Sequence, residues 1–253
     1  MSDSNAPVSV AGKVALVTGG NRGIGKSIVD ALVASGASKV YVGARNPDSA
    51  TDVVKQHGNK VEVLRIDLQD PASITAAAQH AGDVDIVVNN GGVLKVADAL
   101  NPDAYDTLDF EIDVNVKGLM RVAQAFAPVL KSNGGGALVQ LNSVASIKNF
   151  AAFATYSASK AASYSITQGL RESLREQNTL VVSVHPGPIA TDMASDAGMP
   201  DEITDPPEVV ADAIVDALKT GTFHVFPDRM ARDFWAAYQG FAEALVEPSM
   251  AEA

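Results

Sequence analysis

The chain has 253 residues, of which 47% are hydrophobic, and a formal net charge of −11. This length suits one domain with a sizeable core, and the acidic balance disfavours nucleic acid as a partner, because contacts to backbone phosphates need a basic surface. The absence of cysteine excludes disulfides and thiol chemistry.

The N-terminus and the hydropathy pattern predict a cytoplasmic protein without membrane contact. The stretch from Met1 to Asn5 lacks the basic start and apolar run of a signal peptide, and no apolar run approaches the roughly 20 residues that span a bilayer. Residues 1–11 are expected to form a flexible N-terminal segment. The histidines at positions 57, 80, 185 and 224 lack metal-ligand spacing, so no metal site is predicted.

Short apolar runs alternate with helical patterns along the whole chain. The runs predict strands at 13–18, 39–44, 61–66, 84–89, 136–142, 180–185 and 222–227. The intervening patterns predict helices at 23–35, 48–57, 71–81, 102–131, 155–177, 206–219 and 228–246. Alternating α and β elements with continuously apolar strands indicate a parallel sheet covered on both faces. We therefore predict an α/β fold: one doubly wound, Rossmann-type domain over 1–253, with about seven strands and a C-terminal helix.

The first strand ends in a glycine-rich turn that fits two patterns. Residues 20–27, GNRGIGKS, match the nucleotide P-loop, whereas Thr18 followed by Gly19, Gly23 and Gly25 matches a dinucleotide-binding turn. A P-loop enzyme also needs an acidic residue at another strand end to hold Mg²⁺. Asp67 is the one candidate for that role, and the strand before it is interrupted by Arg65. The dinucleotide interpretation is therefore favoured.

A second motif, YSASK at 156–160, contains a tyrosine and a lysine four residues apart. On a helix Tyr156 and Lys160 share a face. A free phenol has a pKa of roughly 10, and a neighbouring ammonium favours the phenolate and lowers that pKa. Ser143 ends the strand 136–142, where ligands of such sheets bind, and its hydroxyl can stabilise charge on a carbonyl oxygen.

These motifs, in this order, resemble those of the short-chain dehydrogenase/reductase family. The resemblance runs from about residue 12 to about 226 and implies a catalytic set of Asn115, Ser143, Tyr156 and Lys160. In the family, the asparagine holds water that connects the lysine to solvent. The resemblance also implies cofactor contacts by Gly19, Asn21, Arg22, Gly23, Ile24, Asp67, Leu68, Asn90, Gly91, Tyr156, Lys160, Pro186, Gly187, Ile189 and Thr191. Gly91 departs from the family's usual Asn-Asn-Ala-Gly, with little harm expected because a smaller residue still admits the cofactor.

The second strand predicts which nicotinamide cofactor binds. An NAD site places an acidic residue about 20 positions after the glycine turn, whereas the strand 39–44 is followed by Arg45. A guanidinium suits a 2′-phosphate, and Arg22 adds a second cation. NADP(H) is therefore predicted, with NAD(H) disfavoured.

The predicted function is hydride transfer between NADP(H) and a carbonyl/alcohol pair. Phe150, Phe153, Met193 and Met199 lie near the predicted site and favour an apolar or aryl ketone, aldehyde or alcohol. Two alternatives remain open: a 3-oxoacyl thioester reductase of the same family, and a redox-sensing protein that binds NADP(H) without turnover.

The resemblance also implies assembly. Family members pair through two long helices, here 102–131 and 155–177, so a homodimer or homotetramer is expected. The C-terminal stretch 224–248 departs from the tail that builds the family's second interface, which puts the tetramer in doubt.

Overall fold

A parallel sheet of seven strands forms the centre of the computed structural model, which describes residues 6–247. Its strands are β1 (Val14–Thr18), β2 (Lys39–Ala44), β3 (Val61–Arg65), β4 (Ile86–Asn89), β5 (Gly136–Leu141), β6 (Thr179–Val184) and β7 (His224–Val225). The spatial order is β3-β2-β1-β4-β5-β6-β7, with all pairs parallel. The predicted doubly wound fold is confirmed. The last strand is shorter than the predicted 222–227.

Helices connect the strands and cover both faces of the sheet. They are α1 (Gly23–Ala34), α2 (Thr51–His57), α3 (Pro71–His80), α4 (Ala104–Glu111), α5 (Gly118–Ser132), α6 (Ala154–Leu174), α7 (Asp192–Asp196), α8 (Glu208–Thr220) and α9 (Arg229–Phe241). The predicted helix 102–131 is divided, because six residues between α4 and α5, Ile112–Lys117, form π-helical turns. None of the helices within residues 6–247 combines the length and apolar character that a transmembrane span requires.

The sheet separates two hydrophobic cores. Successive residues of a strand point to opposite faces, so Ala15 and Val17 join the core under α1 and α8, whereas Leu16 joins the core under α3, α5 and α6. Both faces are buried, which explains why the strands are continuously apolar.

The strand order places the ligand crevice. The chain runs outward from β1 to β3 on one side and then crosses to β4 on the other. The loops after β1 and β4 therefore diverge at the carboxyl ends of adjacent strands, the point where open α/β sheets bind ligands.

The described part of the N-terminal segment is anchored, contrary to the expectation that residues 1–11 are flexible. The Val8 amide donates a hydrogen bond of 2.7 Å to the Leu218 carbonyl, and Val10 is only 3% exposed within the α1/α8 core. Apolar burial against α8 holds this stretch in place. Residues 1–5 lie outside the described part of the chain.

Candidate active site

A cavity of about 690 Å³ opens at the carboxyl ends of the central strands. Every residue predicted to contact a cofactor lies on its wall. These residues are Gly19, Asn21, Arg22, Gly23, Ile24, Arg45, Asp67, Leu68, Asn90, Gly91, Tyr156, Lys160, Pro186, Gly187, Ile189 and Thr191. The crevice expected from the strand order is therefore present.

The glycine turn takes a shape that side chains would block. Gly19 and Gly23 have φ angles of 63° and 51°, in the left-handed region that favours glycine. A Cβ on Gly25 would stand 2.1 Å from the Gly19 carbonyl oxygen. The turn delivers the chain to the start of α1, where free backbone N–H groups bind phosphates. Lys26 instead pairs with Asp30 at 2.7 Å and is not among the residues of the cavity wall, unlike the lysine of a P-loop.

The loop after β4 holds the glycine turn from the other side. The Asn90 side-chain amide donates hydrogen bonds to the carbonyls of Thr18 and Gly19, at 2.9 and 3.3 Å. The Gly91 amide donates to the Thr18 hydroxyl at 2.9 Å. A Cβ on Gly91 would stand 3.1 Å from Leu68 Cδ1, so the glycine leaves room for Leu68. The role of Thr18 was not predicted, because its partner lies 73 residues away in the sequence.

Two arginines lie on the cavity wall and differ in their ion pairing. The Arg22 guanidinium is paired with Asp192 at 2.8 Å, and both side chains are about two-thirds exposed. Arg45 is exposed on the cavity wall, and within residues 6–247 it forms no ion pair. Its guanidinium is therefore available to a phosphate.

Ser143, Tyr156 and Lys160 all lie on the cavity wall. The Ser143 hydroxyl accepts a hydrogen bond of 3.1 Å from the Ala145 amide, which fixes the serine at the start of a short turn after β5. The Lys160 ammonium donates to the Leu141 carbonyl at 2.8 Å and lies 5.7 Å from the centre of the Tyr156 ring. The residues share a site because β5 ends beside the first turns of α6.

The pKa of Tyr156 is raised, whereas the sequence predicted that a neighbouring ammonium lowers it. Burial raises the pKa of Tyr156 to about 12, although the Ser143 hydroxyl acts to lower it. Burial lowers the pKa of Lys160 to about 8. The ammonium is directed to Leu141, so in the protein alone the desolvation of the phenol outweighs the attraction that was expected to lower its pKa.

Asn115 is buried behind the cavity wall and braces it. Its side chain accepts a hydrogen bond from the Val93 amide at 2.9 Å and donates to the Val93 carbonyl and the Ser159 hydroxyl, each at 3.0 Å. The π-helical turns around it are a feature often found at functional sites. The side chain thus ties the loop after β4 to α6.

Two further polar residues support the loop after β6 and were not predicted. His185 contacts the hydroxyls of Ser146 and Ser183, each at 2.8 Å, and burial lowers its pKa to about 3. Asp228 accepts a hydrogen bond of 2.6 Å from the Gly187 amide and also caps α9. The position of His185 at a strand end was a usable signal, whereas the contact of Asp228 with Gly187 depends on tertiary packing.

Part of the cavity wall is apolar. Phe150, Phe153, Met193 and Met199 line it, as their sequence positions suggested. Phe150 also stacks on Phe234 of α9, with ring centres 6.2 Å apart. The unpredicted apolar residues of the wall include Leu94, Ile203 and Met230.

Comparisons with known proteins agree with this architecture. The profile of the short chain dehydrogenase family matches residues 13–201. An uncharacterized oxidoreductase of Staphylococcus epidermidis is 35% identical over 213 residues, which cover 81% of this chain and 90% of that protein. An uncharacterized oxidoreductase of Staphylococcus aureus is 33% identical over 211 residues, with the same coverage.

Solved structures show the same likeness. A short chain dehydrogenase from Burkholderia cenocepacia, crystallised with NADP, superimposes with a TM-score of 0.84 at 32% identity, over 95% of this chain and 100% of that one. One from Streptomyces avermitilis gives a TM-score of 0.81 at 27% identity, over 92% and 94% of the two chains. The chain therefore belongs to the short-chain dehydrogenase/reductase family of oxidoreductases.

Proposed function

We propose that this oxidoreductase uses NADP(H) to interconvert apolar or aryl carbonyl compounds and their alcohols. The observation that carries the proposal is one continuous cavity. Its wall carries the glycine turn and Arg45, which forms no ion pair within residues 6–247, together with the acid–base candidates Ser143, Tyr156 and Lys160 and an apolar set. These are a phosphate site, an acid–base site and a site for an apolar substrate on the wall of one cavity.

The residues present fit a dinucleotide with a 2′-phosphate. Side chains at positions 19, 23 and 25 would fill the space in the turn. Because these residues are glycines, the backbone N–H groups of the turn remain accessible to the diphosphate. Arg45 follows β2, where an NAD site carries an acidic residue. The related Burkholderia cenocepacia enzyme was crystallised with NADP, which supports the same choice here.

A nicotinamide cofactor held by the glycine turn and Arg45 would supply the hydride for carbonyl reduction and accept it for alcohol oxidation. The Tyr156 hydroxyl gives its proton to the carbonyl oxygen during reduction, and its phenolate takes the alcohol proton during oxidation. The Ser143 hydroxyl donates a hydrogen bond to the same oxygen and stabilises the charge that develops there. The Lys160 ammonium binds the nicotinamide ribose and favours the phenolate.

The substrate class follows from the apolar part of the cavity wall. Phe150, Phe153, Met199 and Met230 form a partly buried apolar surface beside the acid–base residues. Burial of apolar substrate surface there contributes about 25 cal/mol per Å². Among the described residues, the cations on the cavity wall are Arg22, Arg45 and Lys160, which are assigned here to the cofactor and the acid–base site. No further described cation is available on the wall for an anionic carrier, so the 3-oxoacyl thioester alternative is disfavoured.

We also propose that the chain acts as a homodimer paired through α4, α5 and α6. Tyr105 on α4 and Met120 on α5 are 84% and 39% exposed, and their burial would favour pairing. Light scattering of the purified protein should give twice the chain mass. A monomer at all concentrations would contradict the pairing.

An activity panel tests the proposed function. Purified protein with NADPH should oxidise the cofactor in the presence of aryl and alicyclic ketones or aldehydes. Turnover restricted to 3-oxoacyl thioesters would favour the first alternative. Measurable NADPH binding without turnover of any carbonyl compound or alcohol would favour the redox-sensing alternative.

A further inference from the structure

Glu111 is a buried carboxylate near the proposed catalytic residues, and the proposed chemistry assigns it no role. Glu111 is the last residue of α4 and is 0% exposed. Its Oε1 accepts a hydrogen bond of 2.8 Å from the Lys95 amide. Its Oε2 has no hydrogen-bond partner within residues 6–247. A carboxylate is almost never buried completely unless a partner compensates for the lost hydration.

The surroundings of Glu111 point to that partner. Glu111 and Asn115 stand one turn apart and hold successive parts of the loop after β4, through the amides of Lys95 and Val93. A Cβ built on Gly92 of this loop would stand 3.7 Å from the Lys160 ammonium and 3.1 Å from Asn115 Oδ1. The carboxylate and the ammonium therefore flank the same short loop.

The Thr155 hydroxyl approaches the Glu111 carboxylate from α6. It is buried and has no hydrogen-bond partner among the described residues. It lies close enough to lower the pKa of Glu111, without reaching hydrogen-bond geometry in this conformation. Since Thr155 directly precedes Tyr156, the Oε2 atom of Glu111 lies near the start of α6. At this position the Glu111 carboxylate interacts electrostatically with Lys160.

We propose that Glu111 is a positioning residue of the active site, whose buried negative charge keeps the Lys160 side chain in its ammonium form. The proposal rests on the proposed function, in which that ammonium supports proton transfer by Tyr156. Glu111 touches neither substrate nor cofactor in this role, because it acts only through the lysine.

The direction of each electrostatic effect agrees with this role. Burial lowers the pKa of Lys160, and the Glu111 carboxylate is the group that raises it. Burial raises the pKa of Glu111, whereas the Lys95 amide, the Thr155 hydroxyl and the Lys160 ammonium lower it.

Within residues 6–247, three titratable groups face the ammonium. They are Glu111 at the end of α4, Tyr156 on α6, and His185 after β6, which stays neutral above about pH 3. Of these, Glu111 is the carboxyl group, and its ionised form is the one that raises the pKa of Lys160, so its removal should leave the ammonium uncompensated.

The test is a titration of Lys160 in the cofactor-free protein. Carbon-13 NMR of the lysine ε carbons, with the Lys160 signal assigned by its absence in K160M, should show a midpoint near 8. In E111Q, which removes the charge but keeps a side-chain oxygen for the Lys95 amide, the midpoint should fall by at least about half a pH unit. An unchanged midpoint in folded E111Q would overturn the proposal.

Matched variants separate charge from packing. D85N removes a carboxylate that pairs with Lys13 at the opposite end of the sheet, at 2.9 Å, and should leave the Lys160 midpoint unchanged. If E111Q does not fold, E111D withdraws the carboxylate by one methylene and should give a smaller shift in the same direction. An unchanged Lys160 midpoint in E111D would then contradict the proposal.

The pH profile of carbonyl reduction provides a second readout. The pH at which kcat/KM falls to half on the alkaline side should move to lower values in E111Q, because the ammonium is lost earlier. A lower kcat/KM with an unmoved profile would indicate a structural role alone and overturn the proposal. The NMR titration needs no turnover, so it remains decisive even if the proposed function fails.

Discussion

Replacement of Arg45 by alanine should remove most of the proposed preference for NADPH over NADH. The Arg45 guanidinium is exposed on the cavity wall and unpaired among the described residues, so it can meet a 2′-phosphate without breaking another contact. A hydrogen bond to a charged group contributes about 1.5–3 kcal/mol, which corresponds to about 10- to 150-fold in affinity. NADPH affinity should fall by that factor in R45A, and NADH affinity should be unchanged because NADH lacks the phosphate.

The contribution of Arg22 should be smaller, because its guanidinium must leave Asp192 to reach the phosphate. That ion pair is two-thirds exposed on both sides, and such pairs contribute about 0–1 kcal/mol. D192A should therefore strengthen NADPH binding by up to about fivefold.

Fluorescence titration of R45A, R45K and D192A with both cofactors measures these effects. R45K keeps the charge without the planar fork and should fall between the wild type and R45A. Equal losses of NADPH and NADH affinity in R45A, or no loss of either, would refute the reasoning.

Three further variants test the fold and its support of the site. Gly25→Ala places a Cβ 2.1 Å from the Gly19 carbonyl oxygen, so NADPH affinity should fall by about 1–3 kcal/mol in a binding titration; wild-type affinity would contradict the turn geometry. Phe126→Ala empties a fully buried site in the core and should lower the free energy of unfolding in urea by about 3–5 kcal/mol; a loss below about 1 kcal/mol would contradict that packing. The pKa of His185 is lowered from 6.5 to about 3, so the unfolded chain binds one more proton between these values and stability falls as pH falls through this window. In His185→Gln the slope of unfolding free energy between about pH 4 and 6 should decrease by about 1.4 kcal/mol per pH unit, and an unchanged slope would contradict the assignment.

Much of the fold could be predicted because the determining signals are local. Each strand is a short apolar run, and the two-faced burial of a parallel sheet makes that run continuous. The strand bounds from β1 to β6 differ from the predicted ones by at most two residues. The cofactor-contact candidates lie on one wall because the motifs occur where parallel strands end, and these ends meet at one edge of the sheet.

The remaining features depend on contacts between distant parts of the chain. The π-helical turns around Asn115 have no recognised sequence signal, and the side chain is held by Val93 and Ser159 from two other elements. The direction of the Lys160 ammonium toward Leu141 depends on the approach of β5 to α6. In the sequence, Glu111 is indistinguishable from an ordinary polar residue of an amphipathic helix. Its complete burial is evident only from the fold.

The central claim is that the Tyr156 hydroxyl is the proton donor and acceptor in carbonyl–alcohol interconversion. Tyr156→Phe removes this hydroxyl and keeps the ring, so the dissociation constant for NADPH should stay within about twofold of the wild type. General acid–base catalysis contributes about 10²- to 10⁴-fold, so kcat on the best ketone of the panel should fall by that factor. Near-normal kcat in a variant that binds NADPH normally would contradict the account.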